Sequence, residues 1–298
     1  MRLNKFYILL LTGLSLFSCK EDDDTPQFEE RDRAEQAIAD DEAIREFLET
    51  HYYNYEEFEN PPEDFDYTVR FDSIKDDNAD KTAVIDSDKL MVKSVTRDDV
   101  EYNLYILRVR EGEGVSPKIA DSTLVSYQGE LLNNSTFDNS TSPVWFDLTR
   151  LISGFSEGIV EFKGASGYTV NSDNTVTWNN DFGVGAIIIP SGLGYFSSPQ
   201  EAIPSYSPLI FNVNLYRVNE ADHDNDGIAS YLEDLDGDGV VMNDDTDEDT
   251  RPNYVDSDDD GDGTPTRDEI IINEDGTVEF PDSNSNGTPD YLDPDTFQ

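Results

Sequence analysis

Val125-Ser126-Tyr127-Gln128-Gly129 opens the stretch that decides the fold, which runs from Leu124 to Leu215. It continues through Thr136-Phe137-Asp138-Asn139-Ser140, Phe146-Asp147-Leu148 and Leu151-Ile152-Ser153-Gly154-Phe155, with Glu157-Gly158 just beyond. It closes with Ile189-Pro190-Ser191, Tyr195, Ile203-Pro204-Ser205 and Leu209-Ile210-Phe211-Asn212-Val213. Thr123, Val125 and Tyr127 alternate as in a strand, and so do Phe211, Val213 and Leu215 at the far end. One helical candidate begins near Gly154. Upstream, Tyr102, Leu104 and Ile106 mark one face of a strand and Tyr105, Leu107 and Val109 the other. A strand apolar on both faces suits the middle of a sheet.

The whole chain is far more polar than this stretch. It has 298 residues, a formal net charge of -46 and 36% hydrophobic residues. Such a charge repels nucleic acid and anionic membrane surfaces and gathers cations. The single cysteine, Cys19, excludes an internal disulfide and a thiolate metal site. The only histidines, His51 and His223, lie far apart, which argues against a nucleophilic triad or a histidine-rich zinc site.

Residues 1–18 read as a secretory signal, with Arg2 and Lys5 before a short apolar run from Phe6 to Leu14. Leu16-Phe17-Ser18-Cys19 resembles a bacterial lipobox, which implies lipid on Cys19 and a membrane anchor. The acidic run Lys20-Glu21-Asp22-Asp23-Asp24 resembles the surface-export tag of some Gram-negative lipoproteins; a solvated tether fits it equally. Residues 19–30 are therefore read as a lipidated tether and 31–94 as an accessory segment. In the latter, Ile44, Phe47, Leu48 and His51 have helical spacing, with Asp40 or Asp41 as N-cap. Pro61-Pro62 ends that segment, and Tyr67, Val69 and Phe71 alternate as a short strand. Asn134-Ser135-Thr136 and Asn139-Ser140-Thr141 have glycosylation-acceptor spelling and read as loop sequence in a bacterial lipoprotein.

The order and spacing of the deciding stretch resemble the FKBP family of peptidyl-prolyl cis-trans isomerases. The resemblance implies an α+β fold over residues 95–218, a bent antiparallel sheet around one short helix, and proline-containing proteins as substrates. It implies a pocket in which Tyr127, Phe137 and Asp138 form an aromatic wall and a buried carboxylate. Ile152 matches a backbone N–H donor to the substrate carbonyl, Phe155 the floor, Tyr195 a hydroxyl at the rim, and Ile203 and Phe211 the rest of the wall. Val144 or Trp145 is expected in the remaining aromatic slot. Phe155 stands where tryptophan is usual, Phe196 where glycine is usual, and residues 165–182 are an insertion. Catalysis of this kind uses no cofactor.

From residue 219 the composition turns acidic. Asp222, Asp224, Asp226 and Glu233 fit a twelve-residue calcium-loop template with ligands at positions 1, 3, 5 and 12. Asp234, Asp236, Asp238 and Asp245 repeat it, as do Asp258, Asp260, Asp262 and Glu269, and more weakly Asp282, Asn284, Asn286 and Asp293. Glu233 and Asp234 are adjacent, which leaves no room for EF-hand helices. The run resembles thrombospondin type 3 repeats, so structural calcium is expected, with further ligands from Asp244 to Asp249 and Asp256.

Together these features predict a lipid-anchored isomerase of a Gram-negative envelope, at the outer membrane on its periplasmic face or the cell surface, with a calcium-ordered extension at 219–298. Relatives of this layout include gliding-associated lipoproteins. A non-catalytic FKBP-shaped binding module on a calcium stalk, or an adhesive tail, fits the same residues.

Overall fold

The computed structural model describes residues 30–296. The expected signal, Cys19 and all but the last residue of the tether lie outside the described residues. Residues from Arg31 onward form one unit.

The first helix, α1 (Arg33–Thr50), is capped by Asp32, whose side chain accepts from the Glu35 N–H at 3.0 Å. The expected caps, Asp40 and Asp41, lie mid-helix. The opening turns of α1 are largely polar, so apolar periodicity announces only its second half. A short strand β1 (His51–Tyr53), the helix α2 (Tyr55–Glu59) and a strand β2 (Phe71–Ser73) follow, with β1 and β2 antiparallel. The strand expected from Tyr67 begins only at Phe71, because Tyr67 takes a positive φ of 56°.

Six strands build the main sheet: β3 (Leu90–Arg97), β4 (Val100–Arg110), β5 (Ser122–Leu131), β6 (Thr136–Asp147), and, after α3 (Ser153–Ile159) and the small hairpin β7 (Tyr168–Val170) and β8 (Val176–Trp178), β9 (Gly183–Ile189) and β10 (Leu209–Asn219). Their order is β3-β4-β9-β10-β5-β6, antiparallel throughout. This is an FKBP-like fold. The hairpin β7–β8 is the insertion at 165–182. Asn139-Ser140-Thr141 lies within β6 rather than in a loop. Strand β3 straddles the expected boundary between residues 94 and 95.

The sheet has a core on each side, because its central strands are apolar on both faces. Tyr102, Leu104 and Ile106 of β4 face α3, with Ile187, Ile189, Leu209 and Val213. Tyr105 and Leu107 face α1, with Ala186, Ile188 and Ile210, against Ile44, Phe47 and Leu48. The segment preceding the sheet is thus a third layer that keeps the second face dry. Helix α3 lies close on β9 because Gly154 and Gly158 face it; an added Cβ would come within 2.3 Å of Ile189 and 2.4 Å of Ile187.

The acidic tail is a chain of tight loops with α4 (Thr266–Glu269) and a ribbon of β11 (Ile271–Ile272) and β12 (Val278–Glu279). Within it, Ile228, Ile270 and Tyr291 form a small buried apolar cluster. It joins the sheet domain where the Ala221 N–H donates to Asp121 Oδ1 at 3.3 Å and His223 Nε2 lies 3.5 Å from Asp147 Oδ1. Among the described residues, no helix is long and apolar enough to cross a membrane.

Candidate active site and acidic loops

All eight residues expected in the pocket, Tyr127, Phe137, Asp138, Ile152, Phe155, Tyr195, Ile203 and Phe211, line one cavity of about 980 Å³ on the α3 side of the sheet. Phe155 is the floor, 2% exposed, with its ring edge-on to Phe211 at 5.3 Å. Phe211 also meets Phe137 edge-on at 5.4 Å and Tyr127 at 6.3 Å. The Tyr127 hydroxyl donates to Asp138 Oδ2 at 2.6 Å. Burial, reinforced by that carboxylate, pushes the Tyr127 phenol well above its usual range. Asp138 itself is exposed at the rim, not buried as expected. It sits on the outermost strand, β6, where nothing covers it.

The remaining aromatic slot belongs to Phe146, not to Val144 or Trp145. The Phe146 ring lies 5.2 Å from Tyr127 and 5.9 Å from Phe155, whereas Trp145 is 49% exposed. The cause is register. The β5–β6 pairing shifts between Gly129 and Glu130, where two residues of β6 advance against one of β5. That bulge sets Phe137 out of simple alternation with the rest of its strand. Its ring then lies over Gly129, where an added Cβ would come within 2.4 Å of it.

The opposite wall is a loop held from outside the stretch between Leu124 and Leu215. Asp40 of α1, 2% exposed, accepts from the Ser191 N–H at 2.7 Å, the Ser191 hydroxyl at 2.6 Å and Gln36 Nε2 at 2.7 Å. Burial raises its pKa, and these hydrogen bonds oppose the rise. Arg33 stacks on Phe196 at 4.3 Å and Arg31 on Tyr206 at 4.4 Å. Phe196 takes the left-handed conformation (φ 46°) that favours the glycine usual there, and its buried ring repays that strain by packing against Arg33 and Tyr206. Ile203 is fixed by a reciprocal backbone pair with Gln200, at 2.9 and 3.2 Å.

Ile152 caps α3, and its carbonyl accepts from the Phe155 and Ser156 N–H groups. Its own N–H has no acceptor among the described residues. Leu151, half-buried against the core, also lines the cavity, as do Arg150, Gln200 and Glu201, exposed residues whose types carry no signal in the sequence. Among the described residues, no histidine, cysteine or serine lines the cavity. What it offers is an apolar aromatic box with a few polar groups at its edge.

The tail repeats one local geometry five times. In each loop the seventh residue's N–H donates to the fifth residue's side chain: Ile228 to Asp226, Val240 to Asp238, Arg251 to Asp249, Thr264 to Asp262 and Thr288 to Asn286, at 2.6–2.7 Å. The sixth residue has positive φ in every loop: Gly227, Gly239, Thr250, Gly263 and Gly287. In the sequence the loop from Asp245 to Asp256 shows only as extra ligands between the others, because Thr250 stands where the other loops have glycine. Oxygens of Asp222, Asp224 and Asp226 converge within 4.8 Å of one another, and the same holds for Asp234, Asp236 and Asp238, for Asp245, Asp247 and Asp249, and for Asp258, Asp260 and Asp262. Asp245 therefore groups with the loop it opens, not with the one it closes. In the last loop, Asn284 and Asn286 each donate an amide N–H to Asp293 Oδ2, at 2.8 and 2.7 Å.

The donor set fits a hard cation. Buried carboxylate oxygens of Asp224, Asp234, Asp245, Asp258, Asp260, Asp262 and Glu269 have no hydrogen-bond partner. Burial, then repulsion from neighbouring carboxylates, raises Asp224 to about 7 and Glu269 to about 8. Buried charge left this way is costly unless a cation offsets it. Oxygen-only ligands in flexible loops match calcium.

Residues 114–216 match the family model of FKBP-type peptidyl-prolyl cis-trans isomerases. This part of the chain is similar to that family and has its fold. Residues 223–285 match a second model, described as BamM C-terminal. The FKBP-type peptidyl-prolyl cis-trans isomerase FkpA of Escherichia coli (strain K12) is 31% identical over 116 residues, 38% of this chain and 37% of that protein. Peptidyl-prolyl cis-trans isomerase Mip of Coxiella burnetii is 28% identical over 115 residues, 38% of this chain and 43% of that protein. A crystal structure of FkpA from Escherichia coli is 26% identical, with a TM-score of 0.35, over 45% of this chain and 53% of that one. The chain thus spans less than half the length of these curated relatives.

The sheet domain and its aromatic residues were legible before the structure because they are concentrated in one stretch. In the sequence Asp40 is legible only as a candidate N-cap, since its partner Ser191 is far away along the chain.

Proposed function

We propose that this chain is a peptidyl-prolyl cis-trans isomerase acting on X-Pro bonds of envelope or surface proteins. The observation that carries the proposal is the convergence of eight separated residues on one apolar cavity, within a domain that matches the isomerase family. Rotation about an X-Pro bond meets a barrier of about 18–20 kcal/mol because amide resonance must be broken. Unaided, it takes tens to hundreds of seconds. An enzyme needs only to bind the twisted amide better than the planar one. Phe155, Phe211, Phe137 and Phe146 would hold the proline ring away from water. The Ile152 N–H and the Tyr195 hydroxyl would hold the substrate carbonyl, so that the chain on one side of the bond is fixed while the other turns. No bond is made to the protein and no cofactor is used.

Lipid on Cys19 would tether the domain to an envelope membrane, consistent with the apolar run and lipobox spelling before it. Calcium would order residues 219–298, supported by the five loops and their unpartnered buried carboxylates. The calcium serves structure and takes no part in the isomerisation.

The deciding assay follows isomerisation of a short X-Pro peptide by the full chain and by a Tyr195→Ala, Phe211→Ala double variant. Acceleration by the native chain that the variant loses is the expected result. A folded native chain that gives no acceleration would instead be a non-catalytic binding or chaperone module of the same shape.

A further inference from the structure

The loop register assigns Glu233 to the same ion as Asp222, Asp224 and Asp226, at position 12 of the first loop. The structure arranges it otherwise. Glu233 groups with Asp226 and with Asp259, which the register leaves unused; one oxygen of each lies within 4.8 Å of the others. Asp259 comes from the loop that starts at Asp258, far along the chain. All three are buried, with exposures of 2% for Asp226, 0% for Glu233 and 1% for Asp259. Both oxygens of Glu233, both of Asp259 and Oδ2 of Asp226 have no hydrogen-bond partner. Among the described residues, no lysine, arginine or histidine nitrogen lies within 4.0 Å of any of them. Beside them is the small apolar cluster of Ile228, Ile270 and Tyr291, so water has little access to relieve the charge.

We infer that a second divalent cation, calcium by its all-oxygen donors, binds between the first loop and the loop at 258–269, held by Asp226, Glu233 and Asp259. Asp226 is shared. Its Oδ1 is engaged by the Ile228 N–H, and its Oδ2 is free to bridge toward the neighbouring group of Asp222 and Asp224. Five carboxylates, Asp222, Asp224, Asp226, Glu233 and Asp259, then face two divalent ions. With Arg267 acting on Asp226, one divalent ion leaves two negative charges uncompensated in a largely buried space, whereas two ions leave none. Oxygens less than 4.8 Å apart fit a calcium ion with bonds of about 2.3–2.6 Å. The consequence is a clamp between loops that are distant in sequence. It ties the loop next to the sheet domain to the loop at 258–269. The inference rests on the calcium reading of the loops and adds to it an ion that joins two of them.

The test is an ion count on the full chain. Calcium bound after equilibrium dialysis is measured for the native chain, for Asp259→Asn, for Glu233→Gln and for the double variant. Each single variant is expected to hold one calcium fewer than the native chain, and the double variant no fewer than either. An undiminished count in Asp259→Asn, or a second ion lost in the double variant, overturns the shared site. A native chain that binds no calcium at millimolar concentration overturns the underlying reading too, and is told apart by its baseline. Should Asp259→Asn fail to order, Tyr291→Phe gives an independent reading with terbium as the probe. Tyrosine-sensitised emission should fall while the ion count stays at the native value; unchanged emission counts against the site.

Discussion

Asp40 takes both the backbone N–H and the hydroxyl of Ser191, at 2.7 and 2.6 Å, and so binds the first helix to the loop that carries Tyr195. Replacing Asp40 with alanine strands both donors and Gln36 Nε2 in a buried place. Each unsatisfied group costs about 1–3 kcal/mol. The Asp40→Ala variant should unfold at lower urea, and its kcat/KM toward an X-Pro peptide should fall because the Tyr195 wall loosens. A variant that loses stability yet keeps the native kcat/KM would show that α1 supports the fold without positioning the pocket.

Gly129 leaves the room that the Phe137 ring occupies. Gly129→Ala puts a Cβ within 2.4 Å of that ring, so the ring or the strand must move. Overpacking of this kind costs about 1–3 kcal/mol. Displacement of a pocket wall by about 1 Å can lower turnover by up to about a hundredfold. Thermal unfolding and peptide isomerisation measured on one preparation would separate the two effects; retention of native activity would mean that Phe137 is not part of the working wall.

The phenol of Tyr127 is raised by burial and by its bond to Asp138. A raised phenol keeps its proton to higher pH than a free tyrosine, whose pKa is about 10. The Tyr127–Asp138 contact should therefore persist through the alkaline range in which exposed tyrosines ionise. Ultraviolet titration at the phenolate band should show the same number of tyrosines titrating near pH 10 in the native chain and in Tyr127→Phe. A native chain that titrates one more than the variant in that range would contradict the assignment.

Chelation should open the tail at neutral pH. Burial, then neighbouring carboxylates, raises Glu233 to about 10 and Asp259 to about 9. Their folded pKa values lie above the unfolded values of about 4. The stability they lend the metal-free fold is therefore complete below about pH 4, falls progressively as pH rises above that, and is fully lost once pH has passed the folded values, so much of it is gone by pH 7 to 8. With chelator, near-ultraviolet circular dichroism of the tail should be lost at pH 7 to 8 and partly regained on acidification. With millimolar calcium the signal should persist at pH 7 to 8. A signal indifferent to chelator at neutral pH would remove calcium from the account of this region.

The last loop should load calcium least readily. Asp293 is held below the usual carboxylate range by the Asp295 N–H and by the amides of Asn284 and Asn286, so its charge is already met within the chain. Calcium titration of Asp282→Asn should change the high-affinity part of the curve little, whereas Asp258→Asn should remove a high-affinity step. Equal losses from the two variants would count against this ranking.

Much of this protein is determined by short-range pattern. Alternation along residues 102–109 and 209–215 sets two central strands whose faces feed two cores. The aromatic residues of the pocket are legible because few other roles require them in that order, and the spacing of aspartates and glycines sets the loops residue by residue. What the sequence leaves open depends on where the chain returns to itself. Phe146 enters the pocket in place of Trp145 because a bulge at Gly129 and Glu130 alters the register, a matter of pairing between strands. Asp40 meets Ser191, and Asp259 meets Glu233, across separations that no local pattern spans. The loop at Asp245 emerges only when Thr250 adopts the conformation that glycine has elsewhere. The tertiary structure decides which buried donors and carboxylates become neighbours, since burial makes an unmet charge or hydrogen bond costly only once the chain has closed around it.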